Sequence, residues 1–125
     1  MLDTENMSRS SYAYITSAFL ISAAAASPAP ADVLTVNLDG SGDFTSIQAA
    51  IDSADNGDLI LVSPGVYTEP SEHVIDLVGK AIVVSAVGTA QETIIDGEGI
   101  RRGIFCGSGE TASTVIEGFT IRDCF

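Results

Sequence analysis

Asp58–Val84, DLILVSPGVYTEPSEHVIDLVGKAIVV, holds the pattern that decides the fold. The aliphatic triplet Ile60-Leu61-Val62 returns as Ile82-Val83-Val84 and again as Ile104-Phe105-Cys106, each 22 residues on. Three-residue apolar runs are too short for helices and suit buried strands. A second register runs Val74-Ile75-Asp76-Leu77, Ile94-Ile95-Asp96-Gly97 and Val115-Ile116-Glu117-Gly118, in steps of 20 and 21 residues. Between the runs lie turn signals: Ser63-Pro64-Gly65, Val78-Gly79-Lys80, Val87-Gly88-Thr89 and Gly97-Glu98-Gly99. A period in the low twenties with two strands per repeat predicts a solenoid, each strand stacked in parallel on its counterpart in the next coil. A leucine-rich repeat would need a Leu and Asn ladder that this chain lacks. A β-sandwich would not require a constant step.

Upstream, Asp39–Asp58 reads DGSGDFTSIQAAIDSADNGD. Asp39 and Asp43 flank a Gly-Ser-Gly loop, and a short helix follows. Ile47, Ala50, Ile51 and Ala54 form one apolar stripe, Thr45 and Gln48 have capping-box spacing, and Asn56-Gly57 offers a left-handed stop. So short a helix needs a surface to lie on, because isolated helices hold only at roughly 12–15 residues. It is expected to lid the end of the stack, with Val33–Leu38 as a first strand beside it.

DGSGDFTSIQAAID followed by NGDLILVSPGVYTE resembles the opening of right-handed parallel β-helix proteins of the pectin lyase-like superfamily, over roughly Val33–Phe125. The fold expected is therefore all-β, a right-handed parallel β-helix with a short N-terminal capping helix. The expected organisation is a signal peptide at 1–31, a strand-plus-helix cap at 32–57 and first coils at 58–125. Gly118–Cys124 starts another strand, after about three coils, with no closing cap. On this reading the chain is the N-terminal piece of a longer protein, whose remaining coils are its first partner.

Tyr12–Ala26 is apolar or small and too short to span a bilayer, and Ala29-Pro30-Ala31 suits signal cleavage, with Asp32 as the mature start. An earlier cut from Ala23 onward and a true start at Met7 remain open. Secretion, to the medium, cell surface or periplasm, is the expectation, without stable membrane insertion once the leader is cut. The 125-residue chain is one domain at most, with a net charge of −12, which argues against nucleic acid and anionic membranes as partners. After residue 31 only Lys80, Arg101, Arg102 and Arg122 are basic, a poor supply for gripping a polyanion.

Asp76, Asp96 and Glu117 share the second register and would stack as an acidic ladder, either as solvated surface or as a Ca²⁺ face. Asp39 and Asp43 lack the twelfth-position Glu of an EF-hand, so turn and helix electrostatics account for them better than Ca²⁺. Cys106 and Cys124 lie 18 residues apart, suited either to a disulfide between adjacent coils or to small buried hydrophobes. His73, the only histidine, has Ser71 and Glu72 beside it in sequence, but neighbours rarely build a triad. Arg101-Arg102, near Glu98, reads as a surface salt link.

The resemblance implies an extracellular carbohydrate-active or carbohydrate-binding protein, with a polysaccharide as partner. The full-length enzyme classes would be polysaccharide lyase, pectin esterase or glycoside hydrolase. Pectin methylesterases carry their paired Asp, Gln and Arg downstream of this region, so no catalytic residue transfers to this chain. A non-catalytic surface or adhesion scaffold is the alternative.

Overall fold

The computed structural model describes residues 31–125. The expected signal peptide and its cleavage positions before Ala31 lie outside the described residues. The remainder is a parallel β-solenoid of about three turns with one short helix. Strand β1 (Val33–Val36) precedes helix α1 (Ile47–Ser53). The first coil contains β2 (Leu59–Val62), β3 (Gly65–Tyr67) and β4 (His73–Asp76), and the second β5 (Val83–Ala86), β6 (Thr93–Asp96) and β7 (Arg102–Phe105). The third contributes β8 (Val115–Glu117) and β9 (Thr120–Arg122). These stack into three sheets in the orders β1-β2-β5-β8, β3-β6-β9 and β4-β7, with every pairing parallel.

Register places like side chains over one another down a narrow core. Leu34, Ile60, Val84 and Ile116 form one ladder, Tyr67, Ile95 and Ile121 a second, and Ile75 and Ile104 a third. The middle rungs are fully buried: Ile60, Val84, Ile75 and Ile95 are each 0% exposed. At about 1.5–3 kcal/mol per large aliphatic side chain, these ladders are the main source of stability.

The stacking is as expected, but the coil length is not constant. Leu59 to Val83 is a step of 24 residues and Val83 to Val115 one of 32. The second coil is longer because its corners are: Val87–Glu92 and Cys106–Thr114 replace the shorter Ser63-Pro64 and Leu77–Ile82. Ile60 therefore pairs with Val84 rather than Ile82, and Ile104 stands in another sheet, over Ile75.

Helix α1 closes one end. Its stripe Ile47, Ala50, Ile51 and Ala54 is buried against the first coil, as the spacing predicts. The cap differs from the expected Thr45–Gln48 box. Ser46 has extended backbone angles and its hydroxyl accepts the Ala49 N–H at 3.1 Å, so the helix starts one residue later and Gln48 is too near the start to reciprocate. At the other end Ala54 is extended, and the left-handed residue Gly57 serves the turn into β2 instead. The C-terminal carbonyls are met from afar: the Lys80 ammonium donates to Ile51 O (2.7 Å), Asp52 O (2.9 Å) and Ala54 O (2.6 Å). A cation over the last turn also opposes the negative end of the helix dipole.

Candidate functional site

The expected acidic ladder does not exist. Asp76 pairs with Phe105 in β4-β7, Asp96 with Arg122 in β3-β6-β9, and Glu117 with Ser85 in β1-β2-β5-β8, so the three carboxylates stand on three different sheets. Among the described residues no three His, Cys, Asp or Glu side chains stand close enough to hold a metal ion. Asp76 and Asp96 share a local job instead. Each carboxylate accepts the N–H two residues on, Val78 at 2.9 Å and Glu98 at 2.7 Å, and both donating residues have positive φ. This is an Asx turn at a strand end. The recurring Ile-Asp motif marks a turn and not a coil position.

Asp43 and Asp39 are turn residues too. Asp43 Oδ2 accepts the Thr35 N–H and hydroxyl. The Ser41 side chain, and then the Ser41 N–H that Asp39 accepts at 2.8 Å, hold the Asp39 carboxyl below the usual carboxylate range.

His73 has neither nucleophile nor orienting acid. The Ser71 hydroxyl donates to the His73 carbonyl at 2.7 Å, and Glu72 pairs with Arg102 at 3.3 Å. The His73 ring stacks on Phe105 with centroids 4.6 Å apart, and its buried Nε2 has no hydrogen-bond partner.

All four cations of the described region are engaged. Lys80 caps the helix, Arg101 pairs with Glu98, Arg102 with Glu72, and Arg122 bonds Asp96 through Nε (3.1 Å) and Nη2 (3.0 Å). Arg101 and Arg102 do form the expected salt links, though Arg102 lies on β7 and not in a turn. The Glu98 N–H and then Arg122 hold the Asp96 carboxyl below the usual range.

Cys106 and Cys124 are both free and exposed, neither bridged nor buried in the core. Cys124 Sγ lies beside Gly103, where an added Cβ would come within 2.9 Å of it. Gly103 is three residues before Cys106, about 10 Å along an extended chain. A disulfide needs Cα atoms within about 7 Å, so the two thiols are out of reach of each other.

The arrangement that can act on another molecule is the end opposite the helix. There β7, β8 and β9 are the outermost strands of their sheets. Ile104, Ile116 and Ile121 are the last rungs of the ladders, and Ile121 is 51% exposed where Ile95 beneath it is 0%. Beside Ile104 and Ile116 opens a cavity of about 320 Å³, lined also by Leu77, Cys106, Thr111 and Thr114 with Glu110 at its side. Register explains it. Leu77 stands one residue past Asp76, and Cys106 one past its partner Phe105; Ile82 and Thr114 likewise precede the paired Val83 and Val115. The two large aliphatics that fill this corner in the first coil become a thiol and a hydroxyl in the second. Glu110 fixes the corner loop by accepting the N–H groups of Gly79 (2.8 Å) and Ser108 (2.9 Å), and these bonds hold its carboxyl low. Partial desolvation at the corner, then the negative charges of Glu110 and Asp76, push the thiol of the exposed Cys106 up. The cavity was hidden in the sequence, because Leu77/Cys106 and Ile82/Thr114 correspond only once the unequal coils are aligned.

No protein-family model matches this chain, and neither the curated proteins nor the solved structures include a match to it.

Proposed function

We propose that this chain is the capped start of a longer, secreted, right-handed β-helix of the pectin lyase-like kind, part of an extracellular carbohydrate-binding or carbohydrate-active protein. The observation that carries the reading is the asymmetry of the two ends. Helix α1 seals one with Ile47 and Ile51, while the other presents Ile104, Ile116 and Ile121 on outermost strands. A cap that closes one end and leaves ladder rungs bare at the other is suited to nucleating further coils. The resemblance of DGSGDFTSIQAAID supplies the extracellular, polysaccharide-facing context. The polysaccharide that fits is neutral, since Lys80, Arg101, Arg102 and Arg122 are each already held by protein oxygens and would have to be freed to bind uronates.

One observation favours the alternative, a non-catalytic surface scaffold. The outer column of the longest sheet, Val33, Leu59, Val83 and Val115, is aliphatic from end to end. Affinity electrophoresis of the purified protein through gels holding neutral or uronate polysaccharides separates the readings. Retardation by a neutral polysaccharide supports the first, and free migration through every gel by a cooperatively folded sample supports the scaffold. The cap itself is tested by Ile51→Asp, which buries a charge at a fully buried site and is expected to abolish cooperative unfolding.

A further inference from the structure

We infer that Asn56-Gly57, in the link between helix α1 and β2, is a self-modification site: the Asn56 side-chain amide closes onto the Gly57 nitrogen once the corner at Lys80-Ala81 releases both residues.

The chemistry needs only the chain and water. The Gly57 nitrogen attacks Asn56 Cγ and forms an N–Cγ bond. The Cγ–Nδ2 bond breaks, and Nδ2 leaves as ammonia with the Gly57 amide proton. Water then opens the cyclic imide at one of its two carbonyls. Opening at Cγ leaves an ordinary aspartate at position 56; opening at the backbone carbonyl leaves an isoaspartate, with the main chain rerouted through the side chain. A glycine in second place favours the attack, because no Cβ crowds its nitrogen. Asn6 and Asn37 precede Met7 and Leu38, whose side chains screen the corresponding nitrogens.

Three observations show a site that is open to water but held shut. First, Asn56 and Gly57 are both exposed, and a Cβ added to Gly57 would meet nothing within 4 Å. Second, both reacting groups are tied to one residue across the corner. Asn56 Oδ1 accepts the Ala81 N–H at 2.9 Å, and the Gly57 N–H donates to Ala81 O at 2.8 Å. The first bond fixes the electrophilic carbon, and the second engages the proton that the nucleophile must lose. The pair forms the centre of a β-turn, with Gly57 at a φ of +94° and the Asp58 N–H donating to Asp55 O at 3.1 Å. Third, the residue next to Ala81 fastens the same corner to the helix. Lys80 donates to Ile51 O, Asp52 O and Ala54 O, and its own carbonyl accepts the Thr114 hydroxyl at 2.9 Å. The site therefore reacts when this corner parts from the cap, and the rate reads how often that happens. The change is one-way. An isoaspartate adds a carbon to the main chain between the two groups that meet Ala81, so they no longer fit it together, and a cap that has opened stays loosened.

The test incubates the full chain at neutral pH, folded and in urea above its unfolding midpoint, and follows the amide-to-acid mass gain by peptide mapping. We expect modification at Asn56 and not at Asn37, at least about tenfold faster in urea. Without urea, Lys80→Met should react at least about threefold faster than the wild type. An Asn56 that stays intact in urea removes the site. Equal rates for folded and unfolded chain, or a Lys80→Met rate equal to that of the wild type, overturn the protection by the corner. The first comparison uses the wild-type chain alone, so it decides even where Lys80→Met does not fold.

Discussion

The side-chain amide of Gln48 holds the backbone of Asp76 at both of its polar groups: Nε2 donates to the Asp76 carbonyl at 2.9 Å and Oε1 accepts the Asp76 N–H at 2.7 Å. Gln48 thus does for β4 what a neighbouring strand does elsewhere. The helix covers the core with its apolar face and pairs part of a sheet edge with a polar one. This gives an edge that would otherwise template further pairing a defined end.

Gln48→Ala leaves two partly buried backbone groups unpaired and is expected to cost about 1–3 kcal/mol, read as a lower midpoint in urea. Gln48→Glu keeps the acceptor for the Asp76 N–H but sets a second oxygen against the Asp76 carbonyl, so it should not restore stability. An unchanged midpoint in both variants would remove the edge-pairing role.

Lys80 is the corresponding device at the end of the helix. Lys80→Met retains most of the aliphatic stem and removes the donor to three carbonyls, with an expected loss of about 1–2 kcal/mol. Arg cannot focus its planar fork on three converging carbonyls as an ammonium can, so Lys80→Arg should recover only part of the loss. Full recovery by Arg would show that charge alone matters.

What the sequence made legible was local or repeated. The helix stripe follows from i, i+3, i+4, i+7 spacing, and Ile47, Ala50, Ile51 and Ala54 are buried accordingly. Parallel stacking followed from the recurrence of short aliphatic runs. Register did not, because two different things recur. Asp76 and Asp96 repeat an Asx turn on two sheets, which imitates a coil step of 20, while the real steps vary with corner length. Gln48 and Lys80 reach residues 26–29 positions away, and no local pattern announces such partners.

Val78 follows the Asp76 turn with a φ of +46°, where a β-branched side chain crowds its own backbone. It is 43% exposed, so little packing is lost on replacement. Val78→Asn, at ease in the left-handed region, is expected to raise stability by about 1 kcal/mol. A loss of stability in this variant would mean that the Val78 side chain contributes more by packing than the backbone strain costs.

Acid should unfold the protein through a small set of carboxylates. Asp58 accepts the Asp55 N–H (2.8 Å) and the Asp32 N–H (3.0 Å), and these bonds lower its carboxyl; Asp96 and Glu110 are lowered likewise. A carboxyl depressed in the folded state stabilises fully above its unfolded value of about 3.9–4.3, and that contribution is lost as pH falls through the folded value. The melting midpoint should therefore be level above about pH 5 and drop below about pH 4. Asp58→Asn should lower the plateau and shrink the drop. A wild-type midpoint unchanged down to about pH 3 would refute the assignment.

Thr93 offers the reverse case, a polar group whose removal should help. It sits on β6 opposite Gly65, is 0% exposed, and its Oγ1 has no hydrogen-bond partner. A buried hydroxyl without a partner costs about 1–3 kcal/mol of desolvation. Thr93→Val has nearly the same shape and keeps the β-branch that suits a strand, so it should raise the urea midpoint by the equivalent of about 1 kcal/mol. Thr93→Ser retains the hydroxyl and deletes a buried methyl, and should lower it by about 1 kcal/mol. The pair separates the two contributions: if both variants lose stability, the Thr93 hydroxyl is satisfied in solution, and the core at this rung is wetter than the full burial of Thr93 implies.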